Sequence, residues 1–154
     1  MRMSRYAIVM MGLLGSSLLH AEVQVQGPVE FGVFDSPRVD PQPGERMLLR
    51  SGQPITAAER IPARLGTRFG IRYRLTGKRA EDTPLTLLYL TPGVVTPAGV
   101  RHDKFEVTQK LLPGTEQDVM AFEFSEAHEV VPGEWRFMVF QGDRKLADQR
   151  FMVE

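Results

Sequence analysis

Cysteine is absent from all 154 residues. That excludes a disulfide framework, a thiol nucleophile, a thiolate metal site and a lipid-modified cysteine at an exported N-terminus. An excess of charge of one sign is missing too: 19 Lys and Arg stand against 19 Asp and Glu. A chain so balanced carries no basic footprint for nucleic acid, and none is expected as a partner. Aromatic rings are few outside phenylalanine, with one Trp and three Tyr. No apolar run reaches the roughly 20 residues that a membrane-spanning helix requires. The longest, residues 6–19, is broken by Gly12, Gly15, Ser16 and Ser17.

What is present begins at that run. Arg2 and Arg5 form a short basic head, residues 6–19 an apolar middle, and Leu19-His20-Ala21 a small-residue junction before the polar Glu22. This order is that of a secretory signal peptide over residues 1–21, with cleavage expected after Ala21 and an uncleaved anchor as the alternative. The two arginines are not adjacent, so a twin-arginine export signal is not supported. Cleavage leaves residues 22–154 with 17 basic and 19 acidic groups, a formal balance of −2. A chain of that length suits one domain with a core of its own. The expectation is a periplasmic or secreted protein with no membrane attachment once the signal is removed.

The rest reads as strands. Val23, Val25, Val29, Phe31 and Val33 alternate with polar residues, the period of a strand buried on one face, and Gly27-Pro28 interrupts it. Residues 36–44 hold three prolines and a glycine and read as a loop, and residues 46–50 as a short strand. Residues 53–64 contain a Thr56-x-x-Glu59 capping pattern, but Pro62 follows too soon for a helix, so they are expected to be extended, with one helical turn as the alternative. Phe69, Ile71, Tyr73 and Leu75 alternate with Arg68, Arg72 and Arg74. Residues 85–90 are apolar almost throughout, as in a central strand covered on both faces, ending at Pro92-Gly93. Further strands are marked by Phe105 and Val107, by Met120, Phe122 and Phe124, by Trp135, Phe137 and Val139, and by Phe151 and Val153. Short strands with such punctuation predict an all-β antiparallel sandwich of about seven to nine strands.

Register matters in the last hairpin, because a slip of one residue moves every side chain to the other face. A plain two-residue turn at Gly142-Asp143 would set Trp135 opposite Arg150. A three-residue turn, or an equivalent bulge near Leu146, sets Trp135 opposite Phe151, Phe137 opposite Gln149 and Val139 opposite Ala147. The longer offset is expected, with Trp135 buried.

Residues 61–73, residues 129–137 and the closing stretch from Gly142-Asp143 to Phe151-Met152-Val153, with Thr91-Pro92-Gly93 and Pro97-Ala98-Gly99 between them, resemble a family of exported bacterial proteins known as a domain of unknown function, number 3859. The resemblance implies an exported, immunoglobulin-like β-sandwich. It implies no catalytic residue. Fold likeness does not assign a function.

Candidate sites are therefore weighed from the residues alone. His102 beside Asp103, and His128 between Glu126 and Glu129, lack the ligand number and spacing of a zinc site, so no metal or cofactor is expected. Ser36, Ser51 and Ser125 sit in no nucleophile elbow. The pair Glu126 and Glu129 reads as a solvated turn more readily than as an acid–base couple. The most distinctive surface feature is the row Arg68, Arg72 and Arg74, joined by Arg64, whose guanidinium groups could engage an anionic ligand. The plainer reading pairs them with acids on neighbouring strands. The expected function is a non-catalytic module acting through contacts with an envelope or extracellular protein. A carbohydrate- or envelope-polymer-binding module is the alternative, and a small hydrolase or metal-binding protein a weaker third.

Overall fold

A computed structural model describes residues 22–35 and 53–154. The predicted signal segment, the proline-rich loop, the strand at 46–50, Ser36 and Ser51 lie outside the described residues. Nine strands are described: β1 (Gln24–Phe34), β2 (Ile55–Ala57), β3 (Arg60–Ile61), β4 (Arg68–Thr76), β5 (Leu85–Val95), β6 (Arg101–Gln109), β7 (Asp118–Glu123), β8 (Gly133–Gln141) and β9 (Arg144–Val153). They form two sheets, ordered β2-β1-β4-β7 and β3-β9-β8-β5-β6. The all-β sandwich predicted from alternation is what forms, and residues 53–64 are extended. One pairing departs from the antiparallel expectation: β3 runs parallel to β9. The chain passes from β2 in one sheet to β3 in the other, and this crossing sets the direction of β3.

The core lies between the sheets. Phe69, Ile71 and Tyr73 of β4, Trp135, Phe137 and Val139 of β8, and Phe151 of β9 are each at most 1 % exposed. Phe69 is its centre, with ring centroids 5.2 Å from Phe124 and Phe137, 5.3 Å from Phe151 and 5.8 Å from Trp135. The indole Nε1–H of Trp135 donates to the Val131 carbonyl at 2.9 Å, so its one polar group is satisfied in the interior.

The final hairpin adopts the longer offset by way of a bulge. Gln141 pairs with Arg144 across the two-residue turn Gly142-Asp143, and the register then shifts between Val139 and Phe140. Trp135 faces Phe151, Phe137 faces Gln149, and Val139 faces Ala147. Gly142 has φ +57°, the left-handed conformation required at the first central position of a type II′ turn.

β5 differs from its reading. It is central, between β8 and β6, but only Leu85, Leu87, Tyr89 and Val94 are buried, while Leu88 and Leu90 are half-exposed on the outer face. It also continues through Pro92-Gly93 to Val95, because a bulge between Leu90 and Val94 absorbs the proline. A run of leucines is ambiguous between one covered face and two.

Candidate binding site

The two sides of the sandwich are not alike. On one, backbone hydrogen bonds tie the chain around β3 to β9: Met152 N to Glu59 O at 2.8 Å, Glu154 N to Ile61 O at 3.0 Å and Ala63 N to Glu154 O at 2.9 Å. On the other, β7 ends the first sheet and β6 ends the second, and these two edges do not pair with each other. A cleft of about 450 Å³ opens between them, lined mainly by Tyr89, Phe105, Val107, Leu112, Val119 and Phe122. Glu123, Ser125 and Glu129 also line it, and no Lys or Arg does. Leu112 is 53 % exposed at its lip. The Tyr89 hydroxyl reaches across from β5 and donates to the Ala121 carbonyl at 3.1 Å. Burial pushes the Tyr89 phenol well above its ordinary pKa.

Ladder geometry decides which way the β7 backbone points. Phe124, just past β7, turns both its polar groups toward the β4 side: its N–H donates to Thr67 O at 3.0 Å and its carbonyl accepts from Gly66 N at 2.7 Å. Antiparallel pairs alternate between hydrogen-bonded and open, so Phe122 and Met120 follow Phe124, and Val119, Ala121 and Glu123 face the cleft side. The bond from Tyr89 to the Ala121 carbonyl agrees with that parity. Ser125 Oγ donates to the Glu123 carbonyl at 3.3 Å. By this parity the N–H groups of Val119, Ala121 and Glu123 and the Val119 carbonyl point away from β4, on the side of β7 where the sheet has no further strand.

The arginine row lies on the outer face of β4 and is not uniform. Arg68 meets Glu123 at 3.3 Å and Arg72 meets Glu30 at 2.6 Å, each acid standing directly across a neighbouring strand. The hydrogen bond from Arg72 holds the Glu30 carboxyl below the usual range, and the charge of Arg74 adds to this. Arg72 also donates to the Gln53 carbonyl at 2.6 Å. Arg74 is exposed opposite Gln26, and Arg64 is exposed before β4 begins. The row is thus two ion pairs and two exposed cations, with no shared groove.

The remaining candidates have structural tasks. Glu129 Oε1 accepts from Ser125 N at 3.1 Å and Glu126 N at 2.8 Å, stapling the short 3-10 turn Ala127–Glu129. His128 Nδ1 stands 3.3 Å from Glu126. The His102 ring lies 5.1 Å from that of Phe105. Among the described residues no group of three or more His, Cys, Asp and Glu is arranged to hold a metal ion.

Sequence reading missed the cleft. Phe105, Val107 and Phe122 mark strands by their alternation, which reports the face a residue occupies, while the cleft depends on which strands become edges. One local signal was available. Leu111 and Leu112 are adjacent, and two successive residues of extended chain cannot both face one core.

The sheets, their order and the aromatic core around Phe69 and Trp135 define an immunoglobulin-like sandwich, and comparison with known proteins agrees. An immunoglobulin-like protein from Pseudomonas aeruginosa is 58 % identical, covers 88 % of this chain and 99 % of its own, and superposes with a TM-score of 0.77. The chain belongs to the family described as Domain of unknown function (DUF3859), whose profile matches residues 22–153. An alkylpurine DNA glycosylase from Pseudomonas fluorescens is 16 % identical over 87 % of this chain and 31 % of its own, TM-score 0.41. A β-glucosidase from Listeria innocua is 17 % identical over 87 % of this chain and 16 % of its own, TM-score 0.38. Likeness at that level transfers no chemistry. No functionally curated protein matches the chain.

Proposed function

We propose that this protein is an exported, non-catalytic binding module that acts through contacts with another protein of the cell envelope. The observation that carries the reading is the apolar cleft beside β7, an edge whose unpaired amides lie next to apolar side chains. Monomeric proteins rarely leave such surface without a use, and edge strands are ordinarily protected. Export is supported by the signal pattern, and the family match begins at Glu22, the residue that cleavage after Ala21 would expose. The carbohydrate alternative needs aromatic rings presented to solvent. Among the described residues every Phe, Tyr and Trp is buried or half-buried.

Fractionation and crosslinking test this together. The protein recovered from the envelope should begin at Glu22. A photo-crosslinking residue placed at Leu112, Leu65 or Val100, all exposed, should give discrete protein adducts from at least one position in living cells. Retention of Met1 on protein in the cytosol, or an absence of adducts from all three, would overturn the reading.

A further inference from the structure

We propose that β7 is a strand-addition edge: an extended segment of the partner docks along Val119 to Glu123 and sets alternate apolar side chains into the cleft between β7 and β6. This rests on the partner-binding reading above and names the recognition mode.

Three observations converge on an extended peptide. Val119 and Ala121 offer N–H groups, Val119 a carbonyl and Glu123 a further N–H, all turned to the cleft side of β7 and spaced two residues apart. That is the ladder an incoming strand completes, and main-chain bonds of this kind supply affinity in strand addition. The five residues span about 14 Å, enough to hold three side chains of an added strand on the cleft side. The cleft then receives those side chains against Phe105, Val107 and Phe122.

The choice between the two edges follows from charge. β6 exposes Arg101, Asp103, Lys104 and Glu106 along its length, the pattern that discourages pairing. β7 presents Val119 and Ala121 between its terminal acids, with nothing comparable to deter a strand.

Charge also selects the occupant. No cation lines the cleft: Glu123 is paired with Arg68 at its outer side, while Glu129, bonded to the Ser125 and Glu126 amides, has no cation beside it among the described residues. A partner segment with a Lys or Arg at that end is complementary. A fatty acid fits poorly, because its carboxylate finds no cation there and its chain offers no acceptor to the β7 amides. A second copy of β7 also fits poorly. Asp118-Val119-Met120-Ala121-Phe122-Glu123 has no basic residue and would bring acid to acid.

The test uses protein purified from the envelope and two capped peptides, acetyl-Lys-Val-Thr-Val-Thr-Val-Thr-amide and its reverse order. Each is also made N-methylated at all Val or at all Thr. Saturable binding of at least one peptide is expected. One methylation pattern should weaken it about tenfold or more and the other little, since only alternate amides face β7. Hydrogen exchange should slow at the Val119, Ala121 and Glu123 amides, with Met120 and Phe122 unchanged. Glu in place of the peptide Lys, and Leu112→Asp at the lip, should each weaken binding. The proposal is overturned if neither peptide binds by millimolar concentration, if both methylation patterns act equally, if palmitate alone binds, or if the Ala121 amide is protected by self-association without peptide. Crosslinks confined to Leu65 or Val100, with the cleft silent to peptide, would leave the protein-contact reading standing and remove this one.

Discussion

Truncating Trp135 tests the packing account most directly. The side chain is fully buried, its ring centroid lies 5.1 Å from Phe122, 5.6 Å from Phe124 and 5.8 Å from Phe69, and Nε1 is bonded to the Val131 carbonyl. Trp135→Ala deletes the indole from the meeting point of both sheets and leaves a cavity that strands on either side cannot collapse into without breaking their ladders. The cost should be about 3–5 kcal/mol, a large share of the 5–15 typical of a whole domain. In a domain of this size that lowers the thermal midpoint by roughly 10–20 °C. Trp135→Phe keeps much of the volume but strands the Val131 carbonyl, and should cost about 1–2 kcal/mol. Urea unfolding followed by circular dichroism gives both values from the shift in midpoint at unchanged slope. An unchanged midpoint for the Ala variant would refute the core assignment and return Trp135 to the surface.

Other expectations follow from named pairs. Lys78 and Asp118 meet at 3.0 Å with side chains only 5 % exposed, and Lys78 also donates to Thr115 O at 2.5 Å. Lys78→Met alone should cost about 3–5 kcal/mol by stranding the Asp118 charge, while Lys78→Met with Asp118→Leu should recover most of it, read by urea titration. Asp148, bonded to Arg136 and then to Lys145, is held well below the usual carboxylate range. Its stabilisation is present above the ordinary Asp value near 4 and is lost as pH falls from there toward its folded value. Asp148→Asn should therefore cost about 1 kcal/mol at neutral pH, less in high salt, and progressively less as pH falls below about 4. The phenols of Tyr73 and Tyr89 are pushed up by burial. Spectrophotometric titration should show no phenolate below the pH of alkaline unfolding, and stability should fall once pH exceeds the unfolded value near 10.

Local pattern was enough for the fold because the strands are amphipathic. Phe69-Ile71-Tyr73 and Trp135-Phe137-Val139 declare their inner face by period alone, and mismatch of Trp135 with Arg150 forced the bulge near Leu146. β5 was misread because Leu85, Leu87, Leu88 and Leu90 satisfy both a one-sided and a two-sided strand. The parallel pairing of β3 with β9 depends on where a two-residue segment lands after crossing between sheets, which no local period encodes. The arginines were legible as a face but not as pairs, since Glu30 and Glu123 come from strands 42 and 55 residues away in the chain. The cleft was least legible of all. Phe105, Val107 and Phe122 obey the same alternation as the core, and only sheet order makes β6 and β7 edges.

That order has an energetic consequence at Tyr89. On the β3 side the chain itself joins the sheets, passing from β2 in one to β3, which is bonded to β9, in the other, and a side-chain substitution does not remove that link. Across the cleft, the Tyr89 hydroxyl on the Ala121 carbonyl is a side-chain bond joining β5 to β7. Tyr89→Phe keeps the ring packed on Phe137 and Phe122 and removes the tether. Water entering the cleft can satisfy the freed carbonyl, so the global cost should be small, about 1 kcal/mol. The local cost should be larger in proportion, because β7 then depends on β4 alone for its hydrogen-bonded ladder. Hydrogen exchange at Met120 and Phe122, whose amides bond to β4, should quicken more than at Arg72, whose amide faces β1, or at Val139 in the other sheet. Uniform quickening of all four would mean that the hydroxyl serves only global stability. A selective change at β7 would show that the two sides of the sandwich open separately, with the cleft side opening first.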